Sequence, residues 1–190
     1  MKKTLIFFVL FFLSLYISAQ PFRPDVPCKD GLNLLPMYGN MEKCAQQLKL
    51  DSEFLSNCDR EYSDRKTACE AHLEMGWKYM HQGDNDTAMK RFNQAWLLDK
   101  KNPVVYSSFG WALSKRGQNN NAVTFFEKSI EMGSDDDKVL ALTASGYIEM
   151  YKKWDDKKYC KRAVELLHLG LKINPDNRSI QQYLKETDCN

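Results

Sequence analysis

The chain carries almost no net charge, few histidines and no long apolar run beyond its first twenty residues, and each lack removes a class of function. Its 27 lysines and arginines stand against 25 aspartates and glutamates. That balance gives no electrostatic case for nucleic acid or for an anionic membrane surface. The histidines are His72, His81 and His168, and none stands in a ligand or nucleophile pattern with a second residue. His72 and His81 are spaced off a single helical face. The acidic run Asp135-Asp136-Asp137 is not followed by the spaced oxygen ligands of a calcium loop, and it reads as a helix cap in a solvated turn. No two of the six cysteines stand at the short spacing of a structural zinc site. No catalytic residue, cofactor or metal is therefore expected.

The apolar run at the start has a different meaning. Lys2 and Lys3 precede Leu5 to Ile17, and Ser18-Ala19-Gln20 follows. A short cationic head, an apolar core too short to span a bilayer and a small residue before a polar one read as a secretory signal peptide over residues 1–19. Its removal after Ala19 would take away Lys2 and Lys3, leaving basic and acidic residues equal in number and no membrane span in the mature chain. Secretion, or residence in a periplasm or cell envelope, is the expectation. All six cysteines (Cys28, Cys44, Cys58, Cys69, Cys160, Cys189) lie in the exported part. An even count in an oxidising compartment favours disulfides.

From Cys69 to Ser134 one pattern is written twice at a spacing of 34 residues. Gly76 recurs as Gly110, Trp77 as Trp111, Gly83 as Gly117, Ala88 as Ala122 and Phe92 as Phe126. A fixed period of this length signals a solenoid whose units close a shared core by stacking. Each unit reads as a helix, a turn stopped by glycine, and a second helix capped by a residue such as Asp84 or Asp86 and striped by Ala88, Phe92 and Ala95. After Ser134 the pattern returns with seven residues added between Tyr147 and Ala163, almost two helical turns. This predicts a longer hairpin over Asp136–Lys153 and Lys157–Ile173, turning at Trp154-Asp155-Asp156. A final helix then starts at Asp176 or Asn177 and ends near Thr187, which would bring Cys189 beside Cys160. The fold class is all-α, with units expected at 20–68, 69–102, 103–136, 137–177 and 178–190.

The segment before the repeats is read as an extended proline-containing arm from Pro21 to Pro36, a short helix over Met41–Leu50, a second helix capped by Asp51 and running to Asn57, and a third that starts at Ser63 and continues into the first repeat. Folding back at Leu50-Asp51 would bring Cys44 to Cys58 and leave Cys28 for Cys69. Three pairings of these four cysteines are possible. The segment's expected role is to cover the open end of the solenoid.

The residues His72, Met75-Gly76, Tyr79, Ala88, Phe92 and Ala95, repeated as Tyr106, Phe109-Gly110, Leu113, Ala122, Phe126 and Ser129, closely resemble the tetratricopeptide repeat (TPR) pattern. The closing proline of that pattern is replaced by Lys100 and Ser134 in the first two units and is present as Pro175 in the third. The resemblance implies a groove lined by the first helices of successive repeats. Its matching positions are Glu70, Leu73, Glu74, Trp77 and His81 in the first repeat, Ser107, Ser108, Trp111 and Lys115 in the second, and Lys138, Ala141, Ser145 and Ile148 in the third. One TPR subclass grips a C-terminal carboxylate with basic and amide side chains there. Leu73, Trp77 and Ser108 occupy those places, so that clamp is absent. The expected function is a non-catalytic scaffold that binds a protein or peptide through this groove, with Trp77 and Trp111 as anchors. The alternative is an envelope module whose flat aromatics stack on a glycan or wall polymer.

Overall fold

A computed structural model describes residues 26–189; the expected signal segment, together with Pro21 and Pro24, lies outside this range. The described residues form eight α-helices: α1 (Ala45–Glu61), α2 (Arg65–His81), α3 (Asn85–Leu98), α4 (Pro103–Lys115), α5 (Asn119–Glu131), α6 (Asp137–Trp154), α7 (Lys157–Ile173) and α8 (Arg178–Glu186). Helices α2 and α3, α4 and α5, and α6 and α7 pair as hairpins that stack in chain order, and α8 closes the far end against α7 and α6.

The recurring glycines explain how each hairpin closes. A Cβ built on Gly76 would sit 2.3 Å from the ring of Phe92, and one on Gly110 would sit 2.6 Å from Phe126. Both phenylalanines are fully buried. Each therefore lies against bare backbone of the partner helix, which any larger residue would displace. In the third hairpin the corresponding pair is Ala144 and Leu167, both buried, where an added methyl group is matched by a smaller partner. Gly83 and Gly117 end α2 and α4 at φ of 83° and 74°. The amide of the following residue reaches back to the last turn, Asp84 N to Tyr79 O and Gln118 N to Leu113 O, both at 3.0 Å. This is the Schellman closure that favours glycine. Asp84 caps α3 by accepting from Thr87 N.

The inserted residues lengthen α6 and α7, which turn at Asp155 in the left-handed region with φ 51°. Arg162 on α7 donates to both carboxylate oxygens of Glu127 on α5, at 2.9 and 2.8 Å. Asp137 at the start of α6 accepts from Asn174 and Asn177, each at 2.7 Å, and so fixes the turn into α8. Asn177 is the cap of that helix, accepting from Ile180 N. Cys160 and Cys189 are bonded, with Cα atoms 5.7 Å apart, tying the chain's end to α7.

The N-terminal segment departs from its sequence reading in three ways. The helix is continuous through Leu50-Asp51, because Asp51 forms an ion pair with Lys43 and does not act as a cap. A continuous α1 puts Cys44 and Cys58 at opposite ends of the helix, roughly 20 Å apart at 1.5 Å per residue. Cys44 is instead bonded to Cys28, with Cα atoms 5.0 Å apart, while Cys58 and Cys69 are buried free thiols. Burial pushes the Cys69 thiol up to about 12 and raises that of Cys58, so neither is a ready nucleophile. The described part of the arm is not extended either. It makes two tight turns, Leu32–Leu34 and Pro36–Asn40, on α3. Met37, Tyr38 and Asn40 hold φ values of 52°, 56° and 53° around Gly39. Such conformations cost about 1 kcal/mol or more each for residues with a Cβ.

These turns bury Leu32 and Pro36, and polar contacts fix their backbone. Asn93, buried on α3, donates from Nδ2 to Asn33 O and Leu35 O at 2.9 Å and accepts from Tyr38 N at 3.3 Å. Arg116, at the end of α4, donates to Leu34 O at 2.7 Å. No helix among the described residues is long and apolar enough to cross a membrane.

Candidate functional site

The two Gly-Trp pairs bring a row of rings to one side of the stack. Because Gly76 and Gly110 let Phe92 and Phe126 approach, the tryptophan that follows each glycine meets the phenylalanine edge to face. Trp77 lies 5.7 Å from Phe92, and Trp111 lies 6.1 Å from Phe126. The two indoles then meet each other across α2 and α4 at 6.1 Å, at an interplanar angle of 72°. Such tilted contacts suit the ring quadrupoles. Both tryptophans are half-buried, with their inner faces on the core and part of each indole left to solvent. The turns of the N-terminal arm sit on α3, away from these rings.

Around the indoles the sequence-derived positions divide. Glu70, Glu74 and His81 on α2 and Lys115 on α4 are exposed. The His81 ring lies 6.3 Å from Trp77. Leu73, Ser107 and Ser108 are not surface residues. Leu73 is 6% exposed and belongs to the core, and Ser107 and Ser108 are buried, with both hydroxyls donating to Val104 O at 3.0 and 2.8 Å. They satisfy their own helix and offer nothing to a ligand. In the third hairpin Lys138 is exposed, Ser145 and Ile148 are half-buried, and Ala141 is buried. Met75, Lys78 and Gln82, absent from the transferred positions, complete a shallow depression with Glu74, Trp77 and His81. Met75 was visible in the sequence only as a position of the repeat pattern, while Lys78, next to Trp77, and Gln82, the cap of α2, carried no signal of their own.

No protein-family model matches the chain. Among solved structures, the first TPR domain of Spaghetti (RPAP3), bound to the HSP90 peptide SRMEEVD, is 17% identical with a TM-score of 0.56 and covers 64% of this chain and 91% of that one. The chain has a TPR fold. The first TPR domain of human RPAP3 is likewise similar, at 18% identity and a TM-score of 0.53, covering 63% of this chain and 88% of that one. In sequence the chain is 29% identical over 103 residues to the STIP1 homolog of Dictyostelium discoideum, a match that takes in 54% of this chain and 17% of the relative's length. The chain thus spans a minor part of that curated relative. The two indoles lie on α2 and α4, the leading helices of the first two hairpins.

Proposed function

We propose that this protein is a non-catalytic scaffold that binds a protein or peptide segment along α2, α4 and α6. The observation that carries the reading is the contact between Trp77 and Trp111, which sets two half-exposed indoles side by side on successive repeats. Apolar side chains of a partner would bury against their open edges, where large aromatics with a polar handle concentrate binding energy. Glu70 and Glu74 on one side and Lys115 on the other would set the partner's direction by charge. The similar domain of Spaghetti (RPAP3) is seen with a peptide bound, which supports a peptide as the class of partner here. The carboxylate grip of one TPR subclass is not part of this proposal, since Leu73 and Ser108, at two of its positions, are buried.

The test is selection of binders from a displayed peptide library, followed by affinity measurements on variants. Changing both Trp77 and Trp111 to alanine is expected to weaken a selected peptide by roughly thirtyfold or more, as loss of a hot spot of about 2 kcal/mol would. Because the indoles also touch the core, Glu74→Lys and Lys115→Glu at exposed positions provide a second reading with the fold undisturbed. Affinity unchanged in all of these variants, or equal binding by purified wall polymer, would overturn the proposal.

A further inference from the structure

A second cavity, remote from the indole row, lies between the loop closed by Cys28–Cys44, α1 and α3. It measures about 440 Å³, within the range of small-ligand sites. Leu32, Tyr38, Phe54 and Leu97 give it apolar walls, and Leu50 stands exposed at its edge.

Two costly features converge here. One is the left-handed turn that carries Tyr38. The other is the Lys43–Asp51 ion pair, in which the lysine side chain is 11% exposed and the aspartate 22%. Buried pairs of this kind add little to stability compared with apolar packing. Strained backbone persists where the surroundings impose it, and it concentrates at ligand sites. The charges are also unbalanced. The Lys43 ammonium lies over the Tyr38 ring at 3.0 Å and, among the described residues, has Asp51 as its one hydrogen-bonding partner, so donor capacity remains. Burial lowers its pKa, a penalty that a further anion would relieve. Lys29 and Lys90 also line the cavity and form no ion pair among the described residues. Asp30 is the one other carboxylate in the lining among the described residues. Three lysines and two aspartates of the described residues thus line the cavity.

We infer that this cavity binds an amphipathic monocarboxylate, its apolar body against Leu32, Phe54 and Leu97 and its carboxylate among Lys29, Lys43 and Lys90. One negative charge balances the site, and the walls accept an aliphatic or aromatic body. A free medium-chain acid and the C-terminus of a peptide ending in an apolar residue share this chemistry.

Amide chemical-shift titration of the protein separates the two sources. The probes are decanoate below its micellar concentration and its methyl ester, and a short leucine-ended peptide as free acid and as C-terminal amide. The expected result is saturable shifts at Leu32, Phe54 and Leu97 with at least one of the acids, and at least tenfold weaker binding of its neutral counterpart. Response to decanoate alone assigns a free acid, response to the peptide acid alone assigns a peptide terminus, and response to both assigns the shared chemistry. Lys29→Gln with Lys90→Gln, both exposed and outside any ion pair, should weaken binding about tenfold with helicity intact. Overturning results are no saturable shift with either acid, neutral compounds that bind as well, a double variant with unchanged affinity, or shifts confined to Trp77 and Trp111. That last outcome would leave the groove proposal standing and remove only this one.

Discussion

Helices α1 and α4 are built on different principles. The 13 residues of α4 bury eight, from Val105 to Leu113, and its glycine lies on a phenylalanine ring. The 17 residues of α1 bury only Cys58, and leave Leu48 and Leu50 half or more exposed. The repeat array is held by periodic apolar packing, whereas the N-terminal segment buries only a few apolar residues such as Leu32 and Pro36 and relies also on a disulfide, a buried ion pair and side chains aimed at its backbone. Within the array each buried ring is part of one continuous core, so its loss spreads to neighbouring units. In the segment, each contact tethers the arm without being part of the repeat core, and its loss should release the segment while the array stays folded.

That contrast can be broken most severely at Phe92. Phe92→Ala would leave a void against Gly76 and remove the ring that supports Trp77. The expected cost is about 3–5 kcal/mol, measured as a shift of the cooperative denaturant midpoint with an unchanged slope. A loss under about 1 kcal/mol would mean that the Gly76–Phe92 contact does not organise the hairpin.

On the other side of the comparison stands Asn93, one residue along the same helix. Asn93→Ala removes three hydrogen bonds to the arm. At about 1 kcal/mol for each such bond the local cost is about 2–3 kcal/mol. Its signature should be separate from that of Phe92→Ala: faster hydrogen exchange and proteolysis near Leu32–Asn40, with the global midpoint little moved. Equal effects on the arm and on global unfolding would erase the distinction between the two regions.

The same distinction explains what the sequence revealed. Side-chain periodicity records packing, so the 34-residue repeat, the Gly-Phe register and the lengthened third hairpin could all be read from residue identities. The arm's register is written in backbone carbonyls of Asn33, Leu34 and Leu35, which have no identity to read. Asn93 looks like any polar residue on a helix until its partners arrive from some 60 residues away. Asp51 has the composition of a cap, and its pairing with Lys43 became visible only with the helix in three dimensions. At the candidate groove, Trp77 and Trp111 were legible because they repeat. Ser107 and Ser108 were misplaced because small polar residues suit a surface and a self-satisfied buried helix equally well.

His72 sits on the seam between the two regions and sharpens the comparison by titration. It projects from α2 toward α1, with Nε2 3.8 Å from the Cys58 Sγ and its ring edge-on to Phe54 at 5.0 Å. Burial, aided by the charge of Arg91, lowers its pKa from 6.5 to about 4. In the unfolded chain it takes up a proton first as pH falls. Stability due to its neutral form is therefore complete above pH 6.5 and is lost progressively as pH falls from there toward 4. Between pH 7 and 5 the loss should be on the order of 1–2 kcal/mol. The comparison needed is wild type against His72→Gln, which cannot titrate. The variant's stability should vary less with pH across this interval, and the difference should be greatest in exchange rates of α1 amides. Parallel pH profiles for the two proteins would place His72 in contact with water in the folded state, and α1 would then have to be held to the array without the protonation-sensitive seam.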